Sequence, residues 1–317
     1  MPICVHCSTP TQALYVSYGP QHLICTKCKA CGAFADPYVE HEAIIVVIDL
    51  ILVKPRAYRH LLFNRKDVFA QDDTRKKVKE SPATTERKAW LLLARHFLAL
   101  LLVDAYLRWF YLCRDHNTSL QESMSGDLST RLLVLWSYFN ILWSTCTTML
   151  TLHTVVLLWA TVYHRAVRWI AQRQTDSSRS KIDQNELQRF KMHLIPNALL
   201  LSSLTPTFLL CLLLLWQPLS HSSEDQKQPG EWQWNEASID WAIRSLVSGL
   251  SAGVGLGVVL PLQRTKVGAL MATTILMIGW YLQFVVSQKL GMPFHSGVGV
   301  LQSDEGQIAA KLYCLAN

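Results

Sequence analysis

Charged residues are scarce in this chain. Asp, Glu, Lys and Arg make up 17% of its 317 residues, against about a quarter in a soluble domain. With half of the residues hydrophobic, that shortfall is unusual for a soluble protein. No secretory segment precedes the cysteines near the N-terminus, which disfavours a framework of disulfides. No βαβ pattern surrounds any C-x-x-C pair, so a redox motif is disfavoured too. Gly253-Val254-Gly255-Leu256-Gly257 has Val258 where a dinucleotide fingerprint needs its last glycine, and no strand precedes it. Cys314 is fourth from the end, but Asn317 is a poor final residue for a prenylation box. No nucleophile, base and orienting partner stand in a catalytic pattern.

Cysteine, by contrast, is concentrated. Five of the nine fall at Cys4, Cys7, Cys25, Cys28 and Cys31, and two C-x2-C pairs about 20 residues apart have the spacing of a zinc ribbon. Ala13 to Ser17 and His22 to Cys25 are β-prone, and Tyr18-Gly19-Pro20 supplies a turn between them. The first pair is Cys4 and Cys7; the second is Cys25 with Cys28 or Cys28 with Cys31. Gly32 favours Cys28 and Cys31, because a knuckle needs a residue that tolerates φ > 0 after its second ligand. Cys25 is then a spare thiol, and His6 and His22 are weaker substitute ligands. The expected metal is zinc, with iron in rubredoxin-like knuckles the alternative.

The apolar residues come in blocks, and the blocks read as membrane spans. Ile44 to Val53 is too short to cross, since about 20 residues are needed; it packs against the ribbon or lies in the lipid interface. Residues 54 to 88 carry eleven basic side chains against five acidic ones, a segment attracted to anionic headgroups. Five spans are expected, at 89–112, 132–163, 194–216, 239–260 and 267–287, after a basic linker at 67–88 and before a tail at 288–317. Pro206 lies inside the third. The formal net charge of +7 therefore reports topology, not nucleic-acid binding. The loop at 164–191 is net +4 and that at 217–240 net −4, so the positive-inside rule puts the head in the cytosol and the C-terminus in the lumen. The expected fold is mostly α: a polytopic membrane helical bundle with a small N-terminal zinc-ribbon β-hairpin head.

Polar groups inside the spans are few. Asp104 and Arg108 are four apart on one helical face and pair, while Arg95 and His96 snorkel. His153 reads as a helix contact. Ser245, Gly249, Gly253 and Gly257 form a small-residue ridge for helix packing, or a smooth groove for a rigid lipid.

Cys4-x2-Cys7, Cys28-Lys29-Ala30-Cys31, Asp36-Pro37-Tyr38-Val39-Glu40, the apolar run and Ala57-Tyr58-Arg59-His60-Leu61-Leu62-Phe63-Asn64 together resemble the Arv homology domain, over residues 1 to 66. In that frame 1–40 is the ribbon and 41–66 the interfacial segment. The resemblance supports Cys4, Cys7, Cys28 and Cys31 as the zinc ligands. It marks Tyr38, Glu40, Tyr58, Arg59, His60, Phe63 and Asn64 as family-motif positions that would contact lipid or a partner. It further implies a multi-pass endoplasmic-reticulum membrane protein, not an enzyme, that serves sterol and sphingolipid homeostasis and glycosylphosphatidylinositol (GPI) anchor synthesis. Its partners would be membrane lipids (sterol, sphingolipid or a GPI precursor) and subunits of GPI-synthesis enzymes, with no nucleic acid. A scaffold within a glycolipid-synthesis complex is the second expectation, and a membrane enzyme using His153 or Asp104 the third.

Overall fold

A computed structural model describes residues 2–19, 22–65, 82–123, 128–173, 190–216, 242–260 and 266–289. Most of the expected linker, the charged loops and nearly all of the tail lie outside those residues. The described chain is mostly helical, with one small sheet. It divides into two compact units, one drawn from Met1–Phe97, His153–Thr205 and Leu250–Ile278, the other from Leu98–Leu152, Pro206–Gly249 and Gly279–Asn317.

The sheet is the hairpin of β1 (Tyr15–Gly19) and β2 (His22–Cys25), paired antiparallel. Alternation along the strands separates its two faces. Tyr15 opposite Cys25 points inward, where Leu14, Ala35 and Val39 pack, whereas Val16 opposite Ile24 points outward. The ribbon thus builds its core from its own residues.

Helix α1 (Ala43–Ile51) is the short apolar run. Nine residues rise about 14 Å, so it cannot cross a bilayer. Of its two expected roles, packing takes only one stripe: Val46 and Leu50 are buried, while Ile44, Ile45, Val47, Ile48 and the following Leu52 are exposed. The helix stops in a Schellman arrangement, with Val53 N–H donating to Leu50 O at 2.9 Å and Lys54 N–H to Asp49 O at 3.0 Å. Val53 holds the left-handed position usually given to glycine, at φ 56°, which strains a β-branched residue.

Pro55 opens α2 (Pro55–Arg59), where its missing N–H costs nothing, and the chain continues through a π turn over His60–Asn64. Four long elements follow: α3 (Pro82–Ser123), α4 (Leu128–Arg173), α5 (Leu194–Trp216) and, after a π turn at Ile243–Val247, α6 (Ser248–Val259). Helix α7 (Lys266–Lys289) closes the described chain. Within these, Glu86–Phe110, Leu135–Arg173 and Leu194–Trp216 are long and apolar enough to cross a membrane. The remaining two expected spans fall on the shorter apolar helices Ile243–Val259 and Leu270–Val286. The protein is a multi-pass membrane protein with these three candidate crossings among the described residues.

The small-residue ridge is not where the described helices approach most closely. Nothing among the described residues lies within 4 Å of a Cβ built at Gly249 or Gly257, and Gly253 meets only Leu276 Cδ1 at 3.7 Å. The close approach is at Gly255, where a Cβ would sit 3.1 Å from Ala198 O and 3.2 Å from Tyr58 Cε1. One turn earlier, the Ser251 hydroxyl donates to Ser202 O at 2.9 Å. Two residues along a helix rotate the side chain by about 200°, so this closely packed face lies nearly opposite the ridge of Gly249, Gly253 and Gly257. Gly255→Val is therefore expected to cost about 1–3 kcal/mol by overpacking. Gly257→Ala, with open space beside it, should be neutral or slightly stabilising; thermal unfolding of both variants checks the assignment.

Candidate functional site

Two knuckles of the same construction carry the cysteines. In the first, Ser8 N–H donates to Cys4 O at 2.8 Å and Cys4 N–H to Thr9 O at 2.9 Å. In the second, Gly32 N–H donates to Cys28 O at 2.9 Å and Cys28 N–H to Ala33 O at 2.8 Å. An isolated bridge closes each one, Ile3 with Pro10 and Lys27 with Phe34. The residue after each second cysteine is left-handed, Ser8 at φ 60° and Gly32 at φ 73°. Glycine takes that conformation without penalty, and serine does so at a cost.

This repeat brings Cys4, Cys7, Cys28 and Cys31 together, with all four Sγ atoms within 4.8 Å of one another. Cys4 faces Cys31 at 3.7 Å and Cys7 faces Cys28 at 3.6 Å. A tetrahedron of thiolates around zinc, with arms of about 2.3 Å, has edges of about 3.8 Å. The donor set therefore fits such an ion in size and in chemistry. Burial pushes the Cys4 thiol up to about 12, so a cation must displace its proton to gain the thiolate. At Cys7 burial acts the same way but is outweighed by hydrogen bonding with the Thr9 side chain and backbone, which brings it down to about 6.

Cys25 stands elsewhere, on β2. Its Sγ donates to Asp36 O at 3.5 Å, and burial raises its thiol to about 12. His6 is outside the cluster as well; burial and the neighbouring Arg56 and Arg59 lower its pKa.

The motif at 57–64 fastens onto the first knuckle. Arg59 Nη1 donates to Val5 O at 2.7 Å and to His6 O at 3.2 Å. Asn64 clasps the Ile3 backbone, accepting from its N–H and donating to its O, both at 2.9 Å. Between knuckle and motif lies Asp36, fully buried, which caps the Tyr38 N–H at 3.2 Å and meets His60 Nδ1 at 2.8 Å and Asn64 Nδ2 at 2.6 Å. Tyr38 extends the chain of contacts, donating its hydroxyl to Asp49 Oδ2 at 2.7 Å, while Lys54 holds Asp49 Oδ1 at 2.6 Å. The Lys54 contact, aided by Tyr38 and opposed by burial, draws the Asp49 carboxyl below its ordinary value. That link contributes stability above the usual carboxylate range and loses it as pH falls through the depressed value.

Among the motif positions, Tyr38, Tyr58, His60 and Asn64 are buried and Arg59 and Phe63 half-buried. Glu40 is exposed, and its Oε1 accepts from Cys25 N–H at 3.2 Å. Tyr38, Arg59, His60 and Asn64 thus make hydrogen bonds within the head. Asp36 was legible as the cap before Pro37, but Asp49 and Thr205, whose hydroxyl donates to Leu50 O at 3.3 Å, carry no local signal.

In the helices, Asp104 pairs with Arg108 at 2.9 Å as the four-residue spacing predicts, and also binds Arg244 Nη1 at 2.5 Å. His153 stands edge-on to Phe97 at 5.5 Å. The latter is the geometry of a packing contact.

A sequence model described as the Arv1-like family matches residues 3–225. The chain is 34% identical over 127 residues to "Protein ARV1" of Eremothecium gossypii, a match covering 38% of this chain and 42% of that one. It is 37% identical over 122 residues to "Protein ARV 2" of Arabidopsis thaliana, covering 38% and 46%. With "Protein ARV1" of Mus musculus the figures are 43% over 63 residues, 20% and 24%. The matched stretch thus spans less than half the length of these relatives. No solved structure matches the chain. The family match runs from the first knuckle through the motif that clasps it and on into the helices, covering more than half of the molecule, and on that ground the chain belongs to the Arv1-like family.

Proposed function

We propose that this protein is a non-enzymatic mediator of lipid homeostasis at the endoplasmic reticulum, handling or moving sterol and sphingolipid and supporting GPI anchor synthesis. The observation that carries the reading is the outer face of α1. Ile44, Ile45, Val47, Ile48 and Leu52 are exposed there, and Lys54 and Arg56, also exposed, follow directly. A short helix with an uncovered apolar side and basic residues at its end lies stably in a headgroup layer. By the positive-inside rule that layer is the cytosolic leaflet, with the C-terminus in the lumen. Cys4, Cys7, Cys28 and Cys31 would hold zinc, which supplies a structural cross-link. Four protein thiolates fill a tetrahedral site and leave no position for a substrate.

The test is mass spectrometry of the lipids that stay with the intact protein after gentle purification from endoplasmic-reticulum membranes, with the Cys28→Ser, Cys31→Ser double variant alongside. Enrichment of sterol or a GPI precursor in the wild type and its loss in the variant is the expected result. Bulk phospholipid alone in both would overturn the reading. A scaffold role in a glycolipid-synthesis complex is the second reading, favoured by the open sides of Gly249 and Gly257, which would admit a partner helix closely. Cross-linking from those positions to another membrane subunit distinguishes it.

A further inference from the structure

The hydroxyl of Thr205 donates to Leu50 O at 3.3 Å, and that contact fixes how deep the end of α1 sits. Helix α5 runs for 23 residues from Leu194 to Trp216 and is apolar enough to cross a membrane. Thr205 is its middle residue, about 16 Å from either end at 1.5 Å per residue, and a hydrocarbon core is about 30 Å thick. The carbonyl at the end of α1 therefore stands well below the headgroups, beside the centre of a span. Tyr58, on α2, meets the same helix nearer its start. It packs with Ala198 O around Gly255, a level about 10 Å before Thr205. After turning at residues 51–54, the chain thus climbs back along α5 from Leu50 to Tyr58.

The turn is built for that depth. In hydrocarbon every backbone polar group needs a partner within the protein. Here the N–H groups of Leu52, Val53 and Lys54 donate to Ile48 O, Leu50 O and Asp49 O at 2.9, 2.9 and 3.0 Å, while Pro55 has none to satisfy. On α5, Pro206 deprives Ser202 O of its helical donor, and the Ser251 hydroxyl supplies one at 2.9 Å. Charge is paired as well. Asp49 accepts from Lys54 Nζ at 2.6 Å and from the Tyr38 hydroxyl at 2.7 Å, the arrangement that ionised groups at membrane depth require. The stem of Arg56, which is exposed, is long enough to snorkel to the headgroups. Ile48 and Leu52, exposed beside the turn, are apolar.

We propose that residues 51–54 form the tip of a re-entrant element, which carries Leu52 and the end of α1 into the acyl-chain region of the leaflet at the N-terminal end of α5. This placement rests on the reading of α1 as a lipid-facing helix and deepens it: the occupant of its outer face is lipid acyl chain, not headgroup alone. Which lipid the protein handles makes no difference to it.

The test places the full-length protein in bilayer discs of phosphatidylcholine, with a fluorescent amino acid encoded at Leu52, at Ile48 or, as the reference for core depth, at Phe208, which is exposed on α5 close to Thr205. Three quenchers divide the depth: bromine at the middle of the acyl chains, a nitroxide on the headgroup, and iodide in the water. The Leu52 and Ile48 labels should behave as the Phe208 label does, quenched more by acyl-chain bromine than by the headgroup nitroxide, with quenching by iodide lost. Stronger quenching by the headgroup nitroxide at both positions would overturn the re-entrant tip while leaving α1 in the headgroup layer. Quenching by iodide as the strongest of the three would overturn both readings. Should the label at Leu52 prevent folding, Ile48, one turn earlier, decides by the same comparison.

Discussion

Changing Cys28 and Cys31 together to serine is expected to unfold residues 1–64 and abolish metal binding. Structural zinc in small domains contributes apparent binding energies of about 10–16 kcal/mol at neutral pH, as much as or more than the whole stability of a typical domain. The hairpin core of Leu14, Tyr15, Ala35 and Val39 is too small to replace that contribution. Metal content by mass spectrometry should fall from stoichiometric to background, and limited proteolysis should cut within the knuckles. Cys25→Ser is the matched control. Its Sγ stands apart from the cluster, donating to Asp36 O at 3.5 Å, so the variant should keep its metal and lose no more than about 1.5 kcal/mol. Metal lost from Cys25→Ser but kept in Cys31→Ser would reverse the ligand assignment.

Asn64→Ala should produce the largest loss of any change away from the metal. It strands the Ile3 N–H and O, both satisfied at 2.9 Å by Asn64, and takes from the buried Asp36 a donor at 2.6 Å. Each orphaned buried group costs about 1–3 kcal/mol, and a hydrogen bond to a charged group contributes about 1.5–3 kcal/mol. The head should therefore melt well below wild type even when saturated with zinc. Asn64→Asp is expected to be no better, because it sets a second carboxylate beside Asp36. Thermal unfolding followed by tyrosine fluorescence, with zinc in excess, reads the difference; a midpoint within a degree or two of wild type in Asn64→Ala would refute the clasp.

How much of this was legible in the sequence depended on the range of the interaction. The two C-x2-C pairs and Gly32 are local: spacing narrowed the second pair to Cys25 with Cys28 or Cys28 with Cys31, and Gly32 and the family resemblance favoured the latter, whose thiols the fold brings beside Cys4 and Cys7. The Asp104 and Arg108 pair is local in the same way. Arg244, whose contact with Asp104 is 140 residues away in the chain, was not legible, because one charged residue near the start of an apolar stretch says nothing about its partner. The glycine pattern shows the limit of periodicity: it reveals that α6 has small residues on more than one side but not which side another helix covers. The motif at 57–64 was recognised as a unit, but the contacts its residues make inside the head were not. Their partners at Ile3, Val5 and Asp36 are joined by backbone carbonyls and a buried carboxylate, and no pattern in the sequence marks those.

The Asn64 clasp also sets an order of assembly. The four clustered thiols are all present once Cys31 has left the ribosome, but the first knuckle stays untied until Asn64, 61 residues beyond Ile3, has followed. Only afterwards does α3 emerge, starting at Pro82, to enter the translocation machinery. Because domains generally fold from the N-terminus as they are synthesised, the head is complete before the first crossing is made. Docking of α1 comes much later, since the Thr205 hydroxyl that reaches Leu50 O is 155 residues downstream. Between those events α1 offers its apolar side to whatever surface is near, so a chain stalled after the first crossing should be found with a metallated, protease-resistant head still loosely held to the membrane.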